Sequence, residues 1–241
     1  MSGHSKWNNI KHKKEKSDAA KAKIFTKIGK EMAVAIKAGG PDPNVNSKLR
    51  DLISKAKANN VPNENIQRTI KKFTDNNDLV YEEITYEGYG PSGVAVIVET
   101  STDNRNRTAG NVRAWFNKYG GNMGQNGCVS YLFEEKGVIT IIDEDEEIDE
   151  DKIMEDSLEC GAEDIKCDEG EYKIYTDPSE LDSVRDAIIA LGYKIDTADL
   201  AKIPSTYVTL ESAEDIENME KMLDKFNEDD DVNAVFTNWD N

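Results

Sequence analysis

The sequence predicts an α+β protein in which a helical N-terminal domain precedes two α/β domains, one inserted into the other. Apolar residues recur at helical spacing up to about residue 75 and at mixed helix and strand spacing beyond it. Residues 1–75 carry 17 Lys and Arg against 7 Asp and Glu, whereas residues 76–241 carry 13 against 41. Residues 136–203 contain a complete β-α-β-β-α-β order of their own. Together these observations predict the three-part organisation.

The N-terminal domain is predicted to contain three amphipathic helices. The first begins at Asp18 and ends at Gly39-Gly40-Pro41, because glycine and proline terminate helices. Asn46 or Ser47 caps the second helix, and a proline starts the third. We therefore expect a basic helical domain over residues 1–78 whose first part is a mobile tail.

Strand-forming sequence begins with YEEITYEGY and VAVIVET, which are joined by a Gly/Pro turn. A helix follows as far as Gly120-Gly121, and CVSYLF is predicted to be the next strand. After the insert, the segments TYVTL and NAVFTN are predicted to be strands on either side of a capped helix. We therefore predict two ferredoxin-like βαββαβ domains. The first consists of residues 79–135 together with 204–241, and the second, acidic domain of residues 136–203 is inserted into it.

Two motifs resemble ligand sites but fail in their context. Gly88–Gly93 matches G-x-G-x-x-G, but a strand follows it, so we predict a turn and not a dinucleotide site. The acidic run 143–151 lacks the glycine and glutamate of a calcium loop, since Ile148 and Met154 occupy those positions. The sequence shows no metal-ligand spacing, nucleophile elbow or Walker loop. We therefore predict no enzyme activity, no catalytic residue, no metal and no cofactor.

Composition indicates the compartment. The three cysteines form no C-x-x-C pair, which is typical of a reducing environment. No apolar run approaches the roughly 20 residues of a membrane span, and the N-terminus lacks a secretory h-region. We therefore expect a cytoplasmic protein that does not enter a membrane.

Three basic segments predict contacts with a polyanion. In the tail, lysines surround Trp7, whose indole can stack on an exposed base. In the first helix, four lysines lie opposite the apolar stripe. In TDNRNRTAGNVRAWF, Asn104 or Asn106 caps a helix that has Arg105 and Arg107 at its start, an arrangement suited to phosphate. The predicted nucleic-acid-binding residues are Lys6, Trp7, Lys11, Lys13, Lys14, Lys23, Lys27, Lys30, Lys37, Arg105, Arg107 and Arg113.

Each basic segment also has a purely structural interpretation. The tail aromatic can pack against the helices, and the lysines can cover a solvent-exposed helix face. The arginines can pair with the many carboxylates of their own domain. The sequence leaves both interpretations open.

The segments SGHSKWNNIKHKK, DAAKAKIFTKIGKE, YEGYGPSGVAVIVE and TDNRNRT closely resemble the YebC family, and the resemblance covers essentially the whole chain. That family includes the mitochondrial translational activator of cytochrome c oxidase. The resemblance implies three domains arranged about a cleft. It also implies a cytoplasmic, DNA-binding regulator of transcription, or a translational role at the ribosome as in the mitochondrial relative. Ala22 departs from the family, since glycine is common at that position.

We therefore predict a non-enzymatic, nucleic-acid-binding regulator of gene expression, and specifically a DNA-binding transcriptional regulator. The alternative is a ribosome- or RNA-associated translation factor, because a basic tail with one aromatic suits irregular RNA. A small-molecule enzyme is disfavoured because no catalytic constellation is present. The predicted partner is DNA, or ribosomal RNA and the ribosome, with no membrane and no small-molecule substrate. No sequence signal defines the oligomeric state.

Overall fold

The structure is a computed structural model that describes residues 18–75, 80–143, 148–168 and 170–240. The described chain forms two compact units. One comprises residues up to 131 together with 208–239, and the other is built on 132–207. No helix in these described ranges is both long enough and apolar enough to cross a membrane.

Three helices form the N-terminal part of the first unit, namely α1 (Asp18–Gly39), α2 (Ser47–Ala58) and α3 (Asn63–Asp75). The apolar faces predicted for them meet in one core, in agreement with the prediction. Its most buried members are Ile28, Met32, Ala35, Leu49, Ala56 and Ile66.

Asn46 joins the end of α1 to the start of α2. Its Oδ1 accepts from the backbone N–H of Leu49 at 3.1 Å, which caps α2. Its Nδ2 donates to the carbonyl oxygens of Ala35 and Gly40 at 2.8 and 2.7 Å. One buried side chain therefore satisfies backbone groups of both helix ends. Of the two residues predicted to cap α2, Asn46 and Ser47, the cap is Asn46.

Strands and helices follow one another along the rest of the chain. In chain order they are β1 (Glu82–Tyr89), β2 (Ala95–Thr102), α4 (Arg105–Lys118), β3 (Asn122–Met123), β4 (Phe133–Ile142), α5 (Glu150–Glu159), β5 (Asp164–Asp168), β6 (Glu171–Thr176), α6 (Leu181–Ala190), β7 (Thr197–Pro204), β8 (Val208–Thr209), α7 (Ala213–Glu228), β9 (Val232–Thr237) and β10 (Trp239–Asp240).

The first unit contains an antiparallel sheet with the strand order β3-β1-β2-β9. β1 and β2 are joined by a 3₁₀ turn at Pro91–Gly93, in which Ser92 and Gly93 have φ values of 51° and 81°. Glycine adopts a positive φ without a steric cost, which explains its place at this tight turn. The predicted turn in the glycine-rich segment is confirmed.

The second unit contains an antiparallel sheet with the order β5-β6-β4-β7. With two crossing helices this is the ferredoxin-like arrangement. Ile139 and Ile141 of β4 and Ile174 of β6 share a buried cluster with Ile153 of α5 and Ile188 of α6. The predicted α+β fold class, with one α/β domain inserted into another, is confirmed. The exact domain boundaries given above stay a prediction.

Two predicted strands of the split domain are wrong. CVSYLF does not form one strand, because Ser130–Leu132 is a 3₁₀ turn and β4 begins only at Phe133. TYVTL contributes only the two residues of β8, which pair with β10 and not with the four-stranded sheet. The order β-β-α-β before the insert is therefore as predicted, but its last strand is the two-residue β3 rather than CVSYLF.

The Glu87 carboxylate explains why CVSYLF does not form a strand. It accepts from the backbone N–H groups of Gly127, Val129 and Ser130 at 2.8, 2.9 and 2.9 Å. A strand would give N–H groups such as these to a neighbouring strand. Burial alone would raise the pKa of Glu87, but these bonds hold it below its ordinary value.

Candidate nucleic-acid interface

Five predicted nucleic-acid-binding residues belong to the N-terminal tail and lie outside the described residues. They are Lys6, Trp7, Lys11, Lys13 and Lys14. The other seven lie on α1 and α4.

The four predicted lysines of α1, which we call the lysine row, are Lys23, Lys27, Lys30 and Lys37. Lys23 Nζ donates to the carbonyl oxygen of Glu228 at 3.2 Å, and Lys27 Nζ donates to that of Asn227 at 2.9 Å. Carbonyl groups in the last turn of a helix lack intrahelical partners and carry its negative end. These two ammonium groups therefore satisfy the end of α7, which belongs to the same compact unit.

A junction of charges forms around Asp231, whose exposed fraction is 4%. Lys30 Nζ lies 2.7 Å from its Oδ1, while Arg107 Nη2 and Thr108 Oγ1 donate to its Oδ2 at 2.7 and 2.8 Å. Burial alone would raise the pKa of Asp231, but the bonds from Lys30, Arg107 and Thr108 lower it to about 2. We call this cluster the Asp231 junction.

Arg107 was predicted to face an anion at the start of α4. Asn104 caps this helix, since its Oδ1 accepts from the Arg107 backbone N–H at 3.1 Å. Arg107 Nη2 also lies 2.8 Å from Asp103 Oδ1. The bonds to Asp231 and Asp103 raise the Arg107 pKa further above its ordinary value. A positive charge at a helix N-terminus is repelled by the positive end of the helix dipole. Here the protein's own carboxylates, and not an external phosphate, offset that repulsion.

Lys37, Arg105 and Arg113 differ from these residues because they are exposed and, within the described residues, form no ion pair. Arg105 and Arg113 both lie close enough to the Tyr86 hydroxyl to affect its ionisation. Burial raises the Tyr86 pKa, and the two guanidinium groups partly offset that effect. These cations therefore remain available to an external partner in a way that Arg107 does not.

A cavity of about 660 Å³ adjoins the Asp231 junction, and we call it the Trp115 pocket. It brings together Lys30 and Arg107, which the sequence placed in two separate basic segments. The lining residues are Lys30, Arg107, Trp115, Lys118, Lys225, Glu228, Asp229, Asp230 and Asp231.

The Trp115 indole is half-buried and is held from behind by an aromatic cluster. Its ring centroid lies 5.8 Å from that of Phe226 at an interplanar angle of 76°. Phe226 is fully buried and also contacts Phe116, with centroids 5.2 Å apart. Edge-to-face packing of this kind fixes the orientation of a ring.

Sequence reasoning missed Trp115, Lys118 and Lys225. The spacing of Arg107, Trp115 and Lys118 along α4 would have placed them near one helix face. The other wall of the pocket comes from α7 and the loop after it, more than 100 residues away in the sequence. No local signal links the two segments.

Within the described ranges, no group of three His, Cys, Asp or Glu side chains is arranged to hold a metal ion. The three cysteines have free thiols, and burial raises the pKa of each. None of them therefore has the depressed pKa of a nucleophilic cysteine.

Two family models match the chain, namely TACO1/YebC protein N-terminal domain over residues 5–76 and TACO1/YebC second and third domain over residues 81–239. A protein of Agathobacter rectalis is 54% identical over 241 residues and covers 100% of both chains. One of Acetivibrio thermocellus is 52% identical over 240 residues and covers 99% of both. Each bears the name "Probable transcriptional regulatory protein". A conserved hypothetical protein from Aquifex aeolicus has a crystal structure with a TM-score of 0.83, 43% identity, and coverage of 92% of this chain and 91% of that one.

Proposed function

Because the chain belongs to the TACO1/YebC family, we propose that it is a non-enzymatic, nucleic-acid-binding regulator of gene expression, and specifically a cytoplasmic DNA-binding regulator of transcription. The names of its relatives support regulation of transcription. The contact with DNA is our own inference, and it rests on where the exposed cations lie.

The observation that carries the proposal is a set of exposed cations on the helical domain. Arg50 and Lys57 lie two turns apart on α2, so they share one helix face, and Lys71 lies on α3. Among the described residues none of these three forms an ion pair. Cations without a protein partner are those that phosphate groups can recruit at least cost, because no existing bond is broken.

The lysine row contributes less than the sequence suggested. Lys23, Lys27 and Lys30 are bound to α7 and the loop after it, so phosphate contacts by them would compete with the protein's own bonds. Lys37, Arg105 and Arg113 are the predicted residues that best fit a phosphate-binding surface. Their role stays a prediction.

Duplex-DNA binding across a salt series tests the proposal. Arg50→Glu combined with Lys57→Glu is expected to weaken binding about tenfold or more and to lower the slope of log affinity against log salt by about 2. Lys152→Glu combined with Lys194→Glu is the matched control, since it changes net charge equally at exposed lysines of the second unit. Equal weakening by both pairs would contradict a localised surface. No measurable binding by the parent would contradict DNA as the partner.

The alternative, a ribosome- or RNA-associated translation factor, is favoured by one different observation. Residues 136–203 carry 22 Asp and Glu against 7 Lys and Arg. On α5 the side chains of Met154 and Leu158, one turn apart, are 40% and 50% exposed. An acidic surface with exposed apolar side chains suits a basic protein partner. Salt-resistant co-sedimentation with ribosomes that Met154→Gln with Leu158→Gln abolishes would favour this function over the first.

A further inference from the structure

The Trp115 pocket is an open groove that is large enough for a nucleotide and is lined by one aromatic ring and eight charged side chains. Its volume of about 660 Å³ falls within the roughly 300–1,000 Å³ typical of ligand pockets. We propose that it binds one unpaired nucleotide of a single-stranded nucleic acid, with the base stacked on Trp115 and the phosphate on Lys118. This inference rests on the proposed nucleic-acid function and specifies the form of nucleic acid that this site takes.

Trp115 supplies the stacking surface. Its indole lines the cavity and is half-buried, so one part of the ring packs while another stays accessible. The contact with Phe226 at 5.8 Å orients the ring before any ligand arrives. A fixed aromatic side chain in a groove with cations is the usual platform for unpaired bases.

Lys118 supplies the phosphate contact. It lies one turn from Trp115 on the same side of α4. The other cations of the pocket are already committed, since Lys30 and Arg107 pair with Asp231 and Lys225 lies 2.6 Å from a Glu228 carboxylate oxygen. Lys118 has no carboxylate partner within the described residues, and its Nζ lies 5.3 Å from the Tyr119 ring centroid.

The carboxylates of the pocket select what enters it. Four cations and four acidic side chains line the pocket, so it has no net charge to attract a bare phosphate backbone. Asp229 is occupied, because its two oxygens accept from the Asp231 backbone N–H and from Asn111 at 2.7 and 3.2 Å. Asp230 is exposed, and none of the described residues donates a hydrogen bond to its carboxylate. A carboxylate accepts readily from the amino and ring N–H groups of a base, and guanine offers two such donors side by side.

Single strands are favoured over duplexes by the same geometry. In a duplex both the face of the base and its pairing edge are occupied, so neither Trp115 nor Asp230 can reach them. Binding in the Trp115 pocket should therefore depend on the base more than on salt. Binding through Arg50 and Lys57 should show the opposite dependence.

The test is titration of the full chain against labelled oligonucleotides, with binding read by fluorescence anisotropy of the label in every variant and by tryptophan quenching in the parent. The oligonucleotides are a uridine heptamer, the same heptamer with a central guanosine, the matched DNA oligonucleotides, and a duplex. The guanosine heptamer is expected to quench the parent and to bind more tightly than the uridine heptamer. Trp115→Ala should weaken single-strand binding about 5- to 100-fold. Trp115→Phe keeps a ring against Phe226, so it should retain folding and part of the binding. Lys118→Gln should weaken binding and lower the salt slope by about 1.

Lys194→Gln, at an exposed lysine of the second unit, is the matched control for Lys118→Gln and should bind as the parent does. Duplex binding should not change in any of the pocket variants. Single-strand binding that survives Trp115→Ala unchanged, or that ignores the central guanosine, overturns the inference. If the pocket inference fails in this way but the variant at Arg50 and Lys57 still loses duplex binding, the proposed function stands without the pocket inference. If the parent binds neither duplex nor single strand, both fail.

Discussion

Two carboxylates of the first compact unit are almost fully buried, and they are satisfied in opposite ways. Asp231, 4% exposed, accepts from charged side chains of α1 and α4, whereas Glu87, 6% exposed, accepts from three backbone N–H groups of one loop. The Lys30 bond to Asp231 joins residues 201 positions apart, while the bonds to Glu87 span 40 to 43 positions. Asp231 thus holds helices together, and Glu87 shapes a loop.

The role of a buried carboxylate is decided by its partners and not by burial alone. Glu171 in the second unit is also buried, at 5% exposure, and its Oε2 lies 3.1 Å from Lys173 Nζ. Among the described residues this ion pair is the one polar contact of its carboxylate, and neither oxygen accepts a well-aligned hydrogen bond. Glu171 thus has one cation to offset its desolvation, whereas Asp231 and Glu87 each accept at least three hydrogen bonds, so we expect the latter two to stabilise the fold more.

The largest expected effect comes from removing the Asp231 carboxylate. Asp231→Ala leaves the Lys30 ammonium, whose side chain is only 13% exposed, without its carboxylate. We expect a loss of about 3–5 kcal/mol in the free energy of unfolding, because a buried charge becomes uncompensated. Urea unfolding measures it. Asp230→Ala, at the exposed neighbouring position, is the control, and an equal loss in both variants would show that the junction is not the cause.

The second prediction uses pH to isolate the same carboxylate. The pKa of Asp231 is lowered from its ordinary value of 3.8 to about 2, so its stabilisation is complete above about pH 4 and is lost as the pH falls to 2. The shift corresponds to roughly 2–3 kcal/mol. The difference in unfolding free energy between the parent and Asp231→Asn should therefore shrink between pH 4 and pH 2. A constant difference would contradict the depressed pKa.

A smaller and more local effect is expected at Glu87. Glu87→Gln removes the charge that three N–H groups share, and we expect a loss of about 1–2 kcal/mol in unfolding free energy. Hydrogen exchange of the Gly127, Val129 and Ser130 amides should accelerate while the helical domain is unchanged. Glu82→Gln, at an exposed position of the same strand, should leave these amides protected. Faster hydrogen exchange across the whole unit would instead show that Glu87, like Asp231, stabilises the unit as a whole.

The elements with local signals could be predicted from the sequence. The cap at Asn46, the cap at Asn104 and the turn at Pro91–Gly93 each follow from the residues within a few positions. The insert could be recognised because its strands and helices form a complete order by themselves. These features depend on short-range chemistry that the sequence displays directly.

The site could be predicted only in part, because its decisive contacts are long-range. A row of lysines opposite an apolar stripe looks the same whether it faces solvent, nucleic acid or another helix. The strand prediction for CVSYLF failed for a related reason, since the carboxylate that takes its N–H groups lies about 40 residues earlier. Packing of Trp115 against Phe226 likewise depends on α7, which follows the insert in the sequence.

The smallest expected effect concerns Lys23 and Lys27, and it decides between the two interpretations of the lysine row. Lys23→Gln with Lys27→Gln removes ammonium groups from partly exposed bonds to the end of α7, so we expect a loss of about 0.5–1 kcal/mol that shrinks at high salt. Lys37→Gln, at an exposed residue of the same row, should leave stability unchanged.

Nucleic-acid binding by the same variants completes the comparison. If Lys23 and Lys27 act only as a cap for α7, their variant is less stable but binds as the parent does, while Lys37→Gln is stable and binds more weakly. If the variant at Lys23 and Lys27 instead binds more weakly than the parent, the bonds to α7 give way to phosphate when a nucleic acid is present. The energies make that exchange feasible, since a surface bond of this kind is worth no more than a single phosphate contact. Lys30 is not expected to take part, because releasing it would leave the buried Asp231 with one cation fewer.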